Sequence, residues 1–229
     1  MFEFTIKNAD ILNKFTAKTR EYINKTYKHT MGYLADGNVC RFTDNERLIL
    51  IAINKSVYQN LYSFLHLNDS NMQFAAFSCL ETAVYAMKLY AVLAENPEYL
   101  QDYADNPGFS LEECEAALSK DEEEEEYDEN TEQFSLKEFY NSLHIINTFG
   151  EKKYSIFPQV NGGSIYLGLS SGDVLSEELE NEVRKNIIGA YLSLSKHVEI
   201  FSKSVSDKKI EKLEREIYEL FIEYLKKYS

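Results

Sequence analysis

Apolar residues recur along most of this chain at spacings of three and four, the period of one face of an α-helix. The first such stretch runs from about Ala9 to Tyr33, with Ile11, Phe15, Tyr22 and Tyr27 among its apolar positions. Gly32 and the Asp36-Gly37-Asn38 turn end it. Thr43-Asp44-Asn45-Glu46 has capping-box spacing, in which the hydroxyl and the carboxylate each satisfy an unpaired backbone N–H. The helix it opens carries Ile49, Ile53, Val57, Leu61, Phe64 and Leu65. Beyond Asn68-Asp69-Ser70 lies the most apolar segment, NMQFAAFSCLETAVYAMKLYAVLAE, residues 71–95. Phe77, Leu80, Val84, Met87 and Ala91 mark one face, while Ala75, Ala76, Ala83 and Ala86 thin the others. A helix apolar around most of its circumference must be wrapped by other helices.

Asn96-Pro97-Glu98 predicts another helix start, because proline at the first position gives up an N–H that has no partner there anyway. That short helix, 97–105, stops at Asn106-Pro107-Gly108. Ser110-Leu111-Glu112-Glu113 and Ser135-Leu136-Lys137-Glu138 repeat the capping-box pattern. The second opens a helix to about Asn147, with Leu136, Phe139, Tyr140, Leu143 and Ile146 available for packing. Tyr154 to Leu169 is the β-like stretch, where YSIF and SIYLGL flank Pro158 to Gly163; a short hairpin and an ordered loop both fit. Ser176 caps a helix holding Leu179, Val183, Ile187, Ala190, Leu194, His197 and Phe201. Asp207 starts the last, with Ile210, Leu213, Ile217, Leu220, Phe221 and Tyr224 on one face. The fold expected is all-α: a single-domain helical bundle of about six to eight helices over residues 1–229, with the 154–169 segment as its one irregular part.

Composition agrees. A 44% hydrophobic share, with 17 Tyr and 14 Phe, supplies a sizeable core, and 9 Gly with 3 Pro give little punctuation for a β fold. The formal charge of −14 is unevenly placed. From Asp121 to Glu132, nine of twelve residues are acidic and none is basic; the rest of the chain holds 29 acids against 24 bases. Such a block repels itself, so residues 121–132 are expected to form a mobile surface insertion inside the domain. Direct nucleic-acid binding is disfavoured, since phosphate contacts need clustered Lys and Arg.

Cys40, Cys79 and Cys114 are odd in number and widely spaced, which suits a reducing compartment without a disulfide framework or zinc site. The N-terminal residues lack the basic-then-apolar order of a secretory signal, and Phe74 to Ala94 is interrupted by Glu81 and Lys88. The expected setting is cytoplasmic, with no membrane contact.

Nucleophile-elbow and phosphate-loop motifs are absent, so no cofactor is expected. His29, His66, His144 and His197 stand far apart without ligand spacing, so no metal is expected either. His197, on its helix's core stripe, reads as a core histidine. Glu81 is the unusual position, a carboxylate within a nearly apolar helix. It is either paired with a base such as Arg20, Arg47 or Arg184, or it acts as a general base or ligand contact in a central crevice.

The order of FSCLETAVYAMKLY, an Asn-Pro-Glu helix, FYNSLH, a loop with Pro and Gly, and a long final helix resembles the helical HEPN-like families of bacterial toxin and phage-defence loci. The resemblance spans residues 43–203. Ribonuclease members of those families use an Arg followed within a few residues by a His, usually completed by dimerisation. Here Lys137 and His144 stand nearest to that arrangement, and Lys lacks the planar fork that holds a phosphate at two points.

Two functions are therefore expected to compete. The first is a non-enzymatic helical protein that binds another macromolecule, as a component or inhibitor of a phage-defence system. Its partner would be a protein, basic or itself nucleic-acid-binding, drawn by the acidic block and anchored by Tyr and Phe. The alternative is a divergent, metal-independent HEPN-like ribonuclease or toxin using His144 as acid–base, with Lys137 or an Arg such as Arg184 as the cation. Homo-oligomerisation through 207–228 fits the alternating charges outside that helix's apolar stripe, as does packing on its own domain.

Overall fold

The computed structural model describes residues 9–37, 42–70, 72–106, 109–114, 136–147, 159–161, 164–166, 177–202 and 208–228. Its helices are α1 (Ala9–Ala35), α2 (Asp44–Asp69), α3 (Gln73–Glu95), α4 (Pro97–Asp105), α5 (Leu136–Asn147), α6 (Glu177–Ser202) and α7 (Lys208–Tyr228). Residues 111–114 are also helical. Between α5 and α6 lies one antiparallel pair, β1 (Gln159–Asn161) and β2 (Ser164–Tyr166). The fold is an all-α bundle.

Local signals set the helix ends. Thr43 accepts from the Glu46 N–H at 3.5 Å while Glu46 Oε2 accepts from the Thr43 N–H at 2.8 Å, closing the capping box that starts α2. Pro97 occupies the first turn of α4, and Ser110 Oγ accepts from the Glu113 N–H at 3.2 Å. Arg47 ties the first turn of α2 to the end of α1: it donates to the Ala35 carbonyl at 3.4 Å and pairs with Asp44. The Ser135 box, the acidic block and residues 1–8 lie outside the described residues.

Within the stretch read from sequence as a short hairpin or an ordered loop, QVN pairs with SIY through Gln159↔Tyr166, Val160↔Ile165 and Asn161↔Ser164, while YSIF lies outside the described residues. Two residues separate the strands, so the shortest connection selects the immediately adjacent segment.

Packing is built on consecutive antiparallel neighbours. α2 and α3 share the largest interface, and α1 lies along α2. Tyr27 meets Tyr58 edge-on at 5.4 Å, and Arg20 donates to the Leu65 carbonyl at 3.3 Å, which fixes the α1–α2 register. α6 touches α1, α2 and α3 together and completes the core. Along α1, Phe15 meets Tyr191 and, further on, Thr30 is joined to His197 through Asn54, so α6 runs parallel to α1 and to α3, which is likewise antiparallel to α2. α7 returns antiparallel onto α1, burying Leu213 and Ile217.

Phe15, Tyr22, Leu50, Val57, Leu61, Phe64, Phe77, Leu80, Val84, Met87, Val183, Ile187 and Leu194 are buried at the centre, as their spacing requires. The inner face of α1 is less apolar than expected. Thr19, Thr26 and Thr30 are fully buried between Phe15 and Leu34. Each threonine donates its hydroxyl to the carbonyl four residues earlier, at 2.9, 2.7 and 2.9 Å, so the helix satisfies it without outside help.

Candidate functional site

The most polar part of the interior joins four helices. His197 of α6 is 0% exposed and lies 2.9 Å from Asn54 Oδ1 of α2. The Asn54 amide donates in turn to Thr30 Oγ1 of α1 at 3.0 Å. Because the amide nitrogen is committed there, Oδ1 is the acceptor and the imidazole carries its proton on Nε2. Tyr58 and Tyr90 set their rings against the imidazole at 6.0 and 5.0 Å. Burial pushes the His197 pKa down to about 3, so the ring is neutral near pH 7. Burial also pushes the Tyr58 hydroxyl up to about 12, against the lowering influence of Thr26 and Thr30. This cluster aligns helices and offers no proton to solvent.

A second polar seam runs along α3 beneath α5. Glu81, Tyr85 and Lys88 share one face at helical spacing. Lys88, 7% exposed, places its ammonium 4.5 Å from the centre of the Tyr140 ring, and Tyr85 packs against the same ring at 5.9 Å. Phe139 of α5 presses into Gly189 of α6, where a β-carbon would fall well inside contact distance of the ring. α5 thus seals the groove between α3 and α6.

The residues singled out from sequence are placed as follows. Glu81 is half-buried on α3 and Arg184 is buried on α6. Carrying the Tyr90–His197 register down the parallel pair sets Arg184 level with Phe77, about one turn from Glu81. Arg20 pairs with Asp69 and Arg47 with Asp44, so two of the three expected bases are engaged elsewhere. Lys137 is exposed on α5; His144 lies seven residues further along that helix, its side chain outside the described residues. Lys137 is on the surface and Arg184 in the core. Among the described residues no group of three or more His, Cys, Asp or Glu is placed to hold a metal ion.

No family model, curated protein or solved structure matches the chain.

Charge is segregated along the chain. Residues 89–132 hold sixteen carboxylates and a single base, Lys120, so this one segment accounts for the whole negative balance of the chain. Its described part forms one end of the bundle. Glu98, Asp102 and Asp105 line a single exposed face of α4, with Glu112 and Glu113 exposed just beyond. Tyr103, roughly 100° around the helix from Asp102, is exposed and edge-on to Phe109 at 5.3 Å. Sequence reading located the acidic block but not its continuation into α4, whose acids look unremarkable until the absence of any base from 89 to 119 is noticed. Helix α3 is long and apolar enough to cross a membrane over Ala75–Glu95, and 67% of its most apolar window is packed inside the bundle.

Proposed function

We propose that this chain is a non-enzymatic helical scaffold that binds a basic macromolecular partner at its α4 end, acting in the cytoplasm as a component or inhibitor of a phage-defence system. The observation that carries this reading is the exposed α4 face of Glu98, Asp102 and Asp105, with no base nearby in sequence and with exposed Tyr103 on another side of the same helix. A carboxylate row without compensating bases favours rapid, salt-sensitive capture of a cationic surface. A partner that itself binds nucleic acid fits the same chemistry, because a carboxylate row imitates phosphate charge. The HEPN-like resemblance supports the biological setting.

The test uses the full chain as bait in extracts of its host, beside a triple variant, Glu98→Lys, Asp102→Lys, Asp105→Lys. The expected result is a basic protein retained by the wild type, released by salt and lost with the variant. Equal retention by both would end the reading. Incubation with total RNA addresses the ribonuclease alternative: cleavage by the wild type that disappears in His144→Ala would replace the scaffold with an enzyme.

A further inference from the structure

One face of α1 carries a row of lysines. Lys14, Lys18, Lys25 and Lys28 fall on a single side of the helix, over about 21 Å of its length. Lys14, Lys25 and Lys28 are exposed. Of the acids on that side, Asp10 lies about one turn before Lys14, and Glu21 is held between Lys18 at 3.3 Å and Lys25 at 2.7 Å; Lys18 also reaches Glu216 at 2.8 Å. Lys14 and Lys28 have no carboxylate partner among the described residues. Residues 1–70 carry nine Lys and Arg against seven acids, in a chain whose total is −14. α1 packs on α2, α6 and α7, while α4 packs on α3 and α2, so the lysine row and the acid row both face outward.

We infer that the lysine face of α1 in one copy docks on the acidic face of α4 in a second copy. The occupant follows from the charges. Glu98, Asp102 and Asp105 present three carboxylates at helical spacing over about 10 Å, short enough to lie along the lysine row. A second copy carries both the lysine row and its acidic complement, so the contact needs no other molecule. The two surfaces differ, so the contact is heterologous: every open assembly keeps one unused face of each sign at its ends and grows head to tail. Exposed charges are screened over about 10 Å at 0.1 M salt, so the association dissolves as salt rises. The inference uses the same acidic end as the basic-partner reading but stands separately, because purified protein alone tests it.

Sedimentation velocity at low and high salt measures the association, with circular dichroism confirming that each variant is folded. The wild type is expected to sediment faster with increasing concentration at low salt and as a monomer at high salt. Lys14→Gln with Lys28→Gln, and separately Asp102→Asn with Asp105→Asn, are each expected to remain monomeric. Mixed in equal amounts, the two variants retain one intact face each and should form a dimer that grows no further. A wild type monomeric at low salt overturns the inference, as does association undiminished in either variant or a mixture that stays monomeric. Binding of an oligonucleotide that is lost in the lysine variant, without self-association, would assign the face to a phosphate polymer instead.

Discussion

His197 Nε2 and Asn54 Oδ1, 143 residues apart in sequence, meet at 2.9 Å and tie α6 to α2 at the centre of the bundle. The pair belongs to a chain of donors and acceptors that continues to Thr30 on α1, so three helices share one polar alignment. Replacing Asn54 by Ala removes the acceptor and leaves the imidazole N–H buried without it. The expected cost is about 1–3 kcal/mol in urea denaturation. An unchanged midpoint would mean that the contact contributes nothing net.

Acid should weaken the fold through the same histidine. Its folded pKa is about 3 against an ordinary 6.5, so between those values the unfolded chain takes up a proton that the native core refuses. Stability from this source is complete above pH 6.5 and falls as pH drops toward 3, by an amount on the order of a few kcal/mol. His197→Gln keeps a donor but cannot titrate. Melting temperatures taken from pH 7 to pH 4 should fall less steeply in the variant, and parallel slopes would assign the acid sensitivity to other groups.

Gly189 admits the Phe139 ring, and that is the reason α5 can sit so deep. Gly189→Ala is expected to destabilise the protein by about 1–3 kcal/mol, although alanine is the better helix former. Phe139→Leu in the same chain should recover part of the loss. A double-mutant cycle with no coupling would show that ring and glycine do not interlock.

Thr43→Ala should remove the hydroxyl half of the α2 capping box and cost about 1 kcal/mol. Thr43→Ser should restore most of it. Chemical denaturation of the three proteins is sufficient, and equal midpoints would refute the role given to the cap.

Tyr140→Leu should loosen α5 by removing the ring beneath the Lys88 ammonium. Hydrogen exchange at α5 amides is the appropriate measurement. Protection there should drop by about 2- to 30-fold, corresponding to ~0.5–2 kcal/mol, while α2 and the rest of α3 keep theirs.

Much of this architecture is written in short-range signals. The Thr43 box, Pro97 and the leucine and valine stripes of α2 and α6 place helices to within a turn, because each acts over four residues or fewer. The threonine face of α1 was harder to see. Thr19, Thr26 and Thr30 count as polar in any hydropathy pattern, yet hydroxyls bonded to their own helix behave as small core residues. Their spacing with Phe15, Tyr22 and Leu34 was the available clue. The polar centre was invisible for another reason: nothing in residues 44–69 announces that Asn54 will face a histidine 143 positions away. Glu81 and Lys88, read as interruptions of α3, instead share the face on which α5 lies.

The parallel course of α3 and α6 carries an obligation for the chain. A tight turn joins only antiparallel neighbours, so the backbone between Glu95 and Glu177 must travel from one end of the bundle to the other before α6 can begin. That return journey is where α4, α5 and the small hairpin were accommodated. Length can be added or removed along it at little cost to the four-helix centre, so the α4 end can diversify while the framework that supports it stays constant.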